Sequence, residues 1–430
     1  MNYSQAENYL DQLQFFKIKL GLDTTRGLLA ELGNPQEQVN IIHIAGTNGK
    51  GSVGATLLSI LSAAGYRTGF YSSPHLCSVR ERFRIGRECI TTDEFAALVS
   101  RLQTLLAGRP SPTYFEFTTL LALYWFHQQG VEAVILETGM GGRLDATNVA
   151  TPLVAVLTDI SRDHEQYLGT TLTAIAGEKA GIIKAGVPVA CSGRAPETLP
   201  VIVQRCRQLH SPLRVYGRDF SGQTEADGTF AYSPISGPPR PGLPLALAGD
   251  HQVVNASLAL AALELVADRF PVTPEALIDG LAHVRWPGRL ELLPLQAEGK
   301  SLRLLLDGAH NQAGVHALIQ ALTRGYPRQQ LVLIWANMAD KQLLPALLAL
   351  MELATTVIFT RAESLRSAAP AALQEQIPPP ARAKTRCAET LAQALAQAAT
   401  LAQVEDLICV AGSLYLVGGV RQLITGDLAA

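Results

Sequence analysis

Charge is scarce in this chain. Asp, Glu, Lys and Arg make up 17% of its 430 residues, and 35 basic residues nearly balance 37 acidic ones. That balance excludes a general pull toward nucleic acid or an acidic membrane surface. Cysteine is sparse as well: Cys77, Cys89, Cys191, Cys206, Cys387 and Cys409 are scattered without a C-x-x-C pair or an even spacing. Such scatter argues against a disulfide framework or a zinc site and suits a reducing cytoplasm. No apolar run reaches the ~18 residues of a membrane span. The opening M-N-Y-S-Q-A-E-N-Y-L carries an acid early and lacks a basic region followed by an apolar core, so neither a membrane span nor a targeting signal is expected.

What is present is apolar. Hydrophobic residues make up 48% of the chain, enough for a large core, and the length favours two or three domains. Short β-branched runs alternate with helical patterns: V-N-I-I-H-I-A (39–45), E-A-V-I-L-E (132–137), L-V-A-V-L-T-D (153–159), R-L-L-L-D (303–307), L-V-L-I-W (331–335), T-V-I-F-T (356–360) and D-L-I-C-V-A (406–411). This alternation predicts an α/β fold with parallel sheets covered by helices. A helix is expected over 51–65, stopped by Gly65. The Gly-, Pro- and Ser-rich stretch 216–244 reads as a hairpin and loop region. The better domain boundary is W-P-G-R-L-E-L-L-P-L-Q-A-E-G-K (286–300), which separates a large N-terminal unit, 1–293, from a smaller C-terminal one, 294–430. The Ala/Gln-rich stretch 388–403 is expected to be an exposed helix.

The stretch H-I-A-G-T-N-G-K-G-S (43–52) departs from the phosphate-loop pattern G-x-x-x-x-G-K-[ST]: Gly51 separates Lys50 from Ser52, and Ile44 stands where the first Gly belongs. It nevertheless follows an apolar strand and opens a helix, a context in which backbone N–H groups and a helix N-terminus converge on an anion. Phosphate binding is favoured over a tight turn with a solvated lysine. A phosphate loop calls for an acid at the end of a neighbouring strand. Glu137 ends such a strand, where a metal ligand and a helix-cap acceptor are equally good readings. It is followed by T-G-M-G-G-R-L-D-A-T-N, whose three glycines permit close backbone approach and whose Arg143 and Asp145 offer charge.

His164 falls just past the strand ending at Asp159, at the edge where open α/β sheets bind ligands; a surface role is equally compatible. Lys179 and Lys184, in G-E-K-A-G-I-I-K, read from their spacing as two solvated helix lysines. In D-G-A-H-N (307–311), Asp307, His310 and Asn311 either face a cleft between domains or cap the helix beginning near Gln312.

Taken together, G-T-N-G-K-G-S, Y-S-S-P-H-L, T-Y-F-E-F, E-T-G-M-G-G-R-L-D-A-T-N, D-H-x-x-x-L-G, G-E-K-A-G-I-I-K, H-Q-x-x-N-A, P-G-R-L-E and D-G-A-H-N occur in the order found in the folylpolyglutamate synthase/dihydrofolate synthase family of the Mur ligase superfamily, which the chain resembles from about residue 15 to about residue 420. The resemblance implies a P-loop-type N-terminal domain with a mostly parallel sheet, a Rossmann-like C-terminal domain, and an ATP-dependent amide ligase joining L-glutamate to reduced folates. R-L-D-A-T-N resembles members that also accept dihydropteroate, implying both activities.

The resemblance implies ATP phosphates on Thr47, Asn48, Gly49, Lys50, Gly51 and Ser52, with Asn255, Arg289 and Asp307 holding the nucleotide from the junction and second domain. It implies Mg²⁺ on Ser73, Glu137 and His164, and a carbamylated Lys179. The pterin substrate is expected near Leu20 and Gly21, against Thr113, Tyr114, Phe115 and Glu116, and beside Leu144, Asp145 and Ala146. Lys50 and Lys179 are the implied catalytic lysines, and His310 is assigned to the amino-acid side. Gln312 stands where the family commonly has Pro, and M-A-D-K-Q (338–342) lacks a second acid. A monomer acting on small molecules alone is expected. Two rival functions fit less well: a UDP-muramyl-peptide ligase needs about a hundred further residues ahead of the loop for its sugar, and a nucleotide switch needs an N-K-x-D-like base motif, which is absent.

Overall fold

The computed structural model describes residues 1–13, 21–109, 111–339, 345–362 and 367–426. Leu20, and residues 340–342 of the M-A-D-K-Q stretch, lie outside them. Two large sheets organise the rest. The first has eight strands in the order Glu88–Cys89, Phe83–Ile85, Thr68–Tyr71, Ala133–Glu137, Asn40–Ala45, Val154–Leu157, Val189–Cys191 and Leu213–Val215. All neighbouring pairs are parallel except the two at the Glu88–Cys89 edge. The central strands are apolar on both faces because both are covered. Ile42 and Ile44 join one core cluster and Ile41, one residue out of phase, joins another.

The helix Lys50–Ala63 is buried along most of its length, with Gly65 following at φ 89°. It is packed between the sheet and the helices His251–Leu265 and Pro274–Ala282. At Gly280 a side chain would stand 2.4 Å from the Ile60 Cα, so the helices cross where one has no Cβ. Residues 216–244 form more than a hairpin: Ser221–Thr224, Phe230–Ser233 and Arg240–Leu243 make a three-stranded sheet. Phe230, Tyr232 and Leu243 anchor it in the core that also holds the helix His251–Leu265.

The second large sheet has the order Glu291–Ala297, Lys300–Leu306, Leu407–Ala411, Leu331–Trp335, Thr356–Phe359 and Thr385–Cys387; only the first strand is antiparallel. Alternate residues again face opposite cores: Leu304 and Leu306 one way, Leu305 the other. The Ala/Gln-rich stretch is not simply an exposed helix. Over Leu391–Leu401 it buries Leu391, Ala394, Leu395, Ala398 and Ala399, an i, i+3, i+4, i+7 stripe laid against this sheet. No helix among the described residues is long and apolar enough to cross a membrane.

Candidate active site

Both parallel sheets point strand C-terminal ends into one cleft of about 1710 Å³. That exceeds the ≈ 300–1,000 Å³ of a typical single-ligand pocket, so more than one substrate fits at once. Every described residue expected at the site lines it, from Gly21 and the 47–52 loop to Asp307 and His310.

The loop after Asn40–Ala45 is shaped by contacts that leave little room for side chains. Thr47 and Asn48 donate their N–H groups to Asp159 O at 2.7 and 3.3 Å, tying the loop to the adjacent strand end. Thr47 Oγ1 also donates to Ser161 O at 3.0 Å. At Gly46, Gly49 and Gly51 a Cβ would collide with Thr158, Asn255 and Trp286. Gly49, at φ 90°, flanks the N-terminus of Lys50–Ala63, and no side chain caps that helix. The N–H groups of the uncapped first turn and the positive end of the helix dipole are therefore available to an anion in the cleft. A Gly49→Ala variant carries an unfavourable φ worth about 1–3 kcal/mol. If the free loop relaxes to relieve that strain, ADP must restore it on binding, so Kd for ADP is expected to rise by up to roughly 5- to 150-fold by calorimetric titration, and an unchanged Kd would reject this account of the loop.

Glu137 is no helix cap. Its carboxylate is buried at the strand end, with Lys50 Nζ 3.8 Å from Oε1 and the Ser73 N–H donating to Oε2 at 3.2 Å. Burial raises its pKa; Lys50, the Ser73 N–H, Arg289 and Arg82 oppose that rise. Ser73 and Glu137 are thus brought together, whereas His164 stands at the cleft rim with its Nε2 4.0 Å from Asp163 Oδ1. No group of three His, Cys, Asp or Glu among the described residues is set to hold a metal. Mg²⁺ asks for less: one or two carboxylates, with phosphate and water oxygens completing its shell. A buried carboxylate with a serine beside a phosphate loop fits that demand.

Lys179 is not solvated, contrary to the expectation from spacing. It ends the helix Leu172–Lys179, is 4% exposed, and donates from Nζ to Gly46 O at 2.7 Å. The cause is tertiary. The glycine loop after Glu137 lies over this helix end, and at Gly142 a Cβ would stand 2.8 Å from Lys179 O. Burial, followed by the Lys50 charge, brings the Lys179 pKa down to about 7. Lys184 is half-buried and donates to Asn148 O at 3.4 Å. Of the two charges after the glycines, Arg143 turns outward to pair with Glu178 at 2.8 Å. Asp145 stays buried and lines the cleft.

The Asp145 carboxylate is held by the Thr147 hydroxyl at 2.5 Å, the Thr147 N–H at 3.0 Å and the Met140 N–H at 2.9 Å. Behind Thr147 stands the buried His43, whose Nε2 is 2.9 Å from Thr147 Oγ1 and whose pKa burial lowers to about 3. A neutral imidazole carrying its proton on Nε2 donates there and leaves the hydroxyl proton to Asp145. His43 was legible only as part of an apolar strand. Thr113 and Glu116 form a capping box on the helix Tyr114–Gln128, which places the 113–116 stretch against the cleft.

From the second sheet, Asp307 accepts from the N–H groups of Leu290 and Ala309, each at 3.0 Å, while Arg289 packs on Gly308. Asn311 fulfils both readings of D-G-A-H-N. Its Oδ1 caps the helix Gln312–Arg324 by accepting from Gly314 N at 2.9 Å, and its Nδ2 donates to Asn48 Oδ1 of the phosphate loop at 2.9 Å. His310 Nε2 lies 3.8 Å from Asp163 Oδ2. Asp163 was overlooked beside its neighbour His164, yet its carboxylate meets both His310 and Asn311 of the D-G-A-H-N turn. Asn255 Oδ1 abuts Gly49 from the helix His251–Leu265.

Residues 44–192 match the Mur ligase middle domain, and residues 288–414 match the Mur ligase glutamate ligase domain. The chain is 35% identical to the folylpolyglutamate synthase of Lacticaseibacillus casei over 99% of both chains. It is 34% identical to the dihydrofolate synthase/folylpolyglutamate synthase of Bacillus subtilis over 79% of this chain and 80% of that one. The solved structure of E. coli FolC in complex with DHPP and ADP superposes with a TM-score of 0.88 at 31% identity, covering 99% of this chain and 98% of that one. With a phosphate loop, a strand-end acid and a second α/β sheet closing on one cleft, the chain belongs to the folylpolyglutamate synthase/dihydrofolate synthase family of Mur ligases.

Proposed function

We propose that this chain is an ATP-dependent ligase that joins L-glutamate to reduced folates and to dihydropteroate, as a cytoplasmic monomer with domains 1–293 and 294–430. The observation that carries the proposal is the shared cleft. Phosphate loop, buried Glu137, buried Lys179 and the D-G-A-H-N turn of the second sheet all border one space large enough for nucleotide and acceptor together. That cleft is built from one chain, and the six cysteines are free thiols, as a reducing compartment requires.

A carboxylate is a poor acyl donor because its leaving group would be oxide. Transfer of the γ-phosphoryl of ATP onto a carboxylate oxygen makes an acyl phosphate, whose carbonyl carbon the glutamate amine attacks with loss of inorganic phosphate. Lys50 and the uncapped helix end hold the phosphates and spread the charge of the transferring group. Ser73 and Glu137, with His164 from the rim, would hold Mg²⁺, which supplies further charge neutralisation when bound. Asn255, Arg289 and Asp307 keep the nucleotide against the loop, and His310 with Asp163 receives the amino acid. The Asn48–Asn311 amide pair links the two halves and helps keep water from the acyl phosphate. Asp145, fixed by Thr147 and His43, offers a rigid acceptor to the pterin.

The test is direct. Protein supplied with ATP, Mg²⁺ and L-glutamate should release phosphate, and form the mass of the amide product, with dihydropteroate or a reduced folate but not with a UDP-muramyl peptide. Absence of glutamate-dependent turnover with either pterin would sink the proposal.

A further inference from the structure

Arg82 closes the short turn Val79–Arg82, lines the cleft and is only 7% exposed. A buried guanidinium ordinarily has a carboxylate partner, because removing its charge from water is costly. Here the direct partners are neutral. Nε donates to His75 Nδ1 at 3.0 Å, the guanidinium lies 5.2 Å from the centre of the Tyr114 ring, and the Tyr71 hydroxyl faces it. Among the described residues no Asp or Glu forms a hydrogen bond or ion pair with it. His75 is itself partly enclosed, and its Nδ1 is the acceptor of that bond. Tyr71 is braced in turn by the Thr118 hydroxyl at 2.8 Å. The fork is therefore oriented without being neutralised.

Its location says what it waits for. Tyr114 belongs to the cleft wall expected to border the pterin substrate, and Arg82 O accepts from the Ser72 N–H at 3.2 Å, next to the Ser73 N–H that donates to Glu137. Arg82 thus stands between the acceptor's wall and the phosphate end of the cleft. We propose that Arg82, oriented by His75 and Tyr114, is the clamp for the substrate carboxylate that is to be phosphorylated. Two parallel N–H···O bonds would complete a bidentate pair that the protein leaves half-built. Each carboxylate oxygen keeps a second lone pair outside that pair, and the clamp would turn one of them toward the γ-phosphoryl. This inference rests on the folate-ligase function and adds the acceptor's anchoring residue to it.

Binding of dihydropteroate and of its carboxamide, measured by calorimetry without ATP, separates the possibilities. The native protein is expected to prefer the carboxylate by roughly 10- to 100-fold, the range for a hydrogen-bonded charge. Arg82→Met should bind both compounds alike, at about the affinity the native protein has for the carboxamide. Arg82→Lys should keep part of the preference, since it retains charge but not the fork. KM for ATP should be unmoved in Arg82→Lys. A preference that survives in Arg82→Met overturns the clamp. If that variant does not fold, the native comparison and Arg82→Lys decide: equal native affinities overturn it, as does a full preference in Arg82→Lys at unchanged pterin KM. Native protein that binds both compounds equally removes the clamp alone, whereas native protein that binds neither removes the functional proposal and the clamp with it.

Discussion

Replacing Lys50 with Ala is expected to lower kcat by roughly 100- to 1,000-fold, the effect of removing one preorganised charge from a transition state. Two losses coincide. The ammonium no longer spreads charge on the transferring phosphoryl, and Glu137 loses the cation 3.8 Å from its Oε1. Lys50 is foremost among the groups that oppose the burial-driven rise of the Glu137 pKa. The sign follows: without it Glu137 holds its proton to higher pH, so the acidic limb of the pH–rate profile should move upward in the variant. Phosphate release at saturating ATP, glutamate and pterin substrate, measured across pH, reads both effects. A kcat within about threefold of the native value, or an acidic limb that stays in place, would remove Lys50 from this role.

Lys179→Met is expected to separate activity from stability. Its ammonium pays for burial through a pKa of about 7, against 10.5 in the unfolded chain. Between those values the unfolded state holds a proton that the native state lacks, so this group's contribution makes stability rise with pH. The penalty is complete below about pH 7 and vanishes above about pH 10.5. An isosteric Met removes it. Unmodified protein should therefore melt at a higher temperature after the substitution, by the equivalent of a few kcal/mol near pH 7, with the gain shrinking as pH rises.

Activity should move the other way, with kcat falling by about 100-fold or more. At pH 7 a large share of Lys179 is the neutral amine, whose lone pair can attack CO₂ and release a proton to give a carbamate. That modification turns an ammonium that would repel Mg²⁺ into an acid that can orient metal-bound water. Bicarbonate should then raise native activity and the intact mass by one CO₂, and short carboxylates should partly restore Lys179→Ala. Unchanged turnover in Lys179→Met would eliminate the catalytic role, and a lowered melting temperature would eliminate the burial penalty.

Much of the site was legible because it is written in short local strings. A strand, a glycine turn and a helix start lie within residues 39–65, and the anion site they make requires only backbone geometry. Glu137 was likewise visible as a strand-end acid, although only its buried contact with Lys50 and Ser73 distinguishes it from a helix cap. Lys179 shows where local pattern misleads. Its spacing on a helix is that of a solvated lysine, and its burial depends on a glycine loop some forty residues away in sequence. The Ala/Gln-rich helix was misjudged for the same reason, since composition does not say which face a sheet will cover.

Residue types and their order were enough to determine an α/β chain, its phosphate loop and its family, because strand alternation and glycine turns are near-neighbour properties. Tertiary structure alone decided which charges are buried. Glu137 and Lys179 are poised by groups distant in the chain, Asp145 and Arg82 partly by near neighbours, but desolvation, which sets their protonation and their need for partners, is in all four a property of the packed cleft and not of any segment within it.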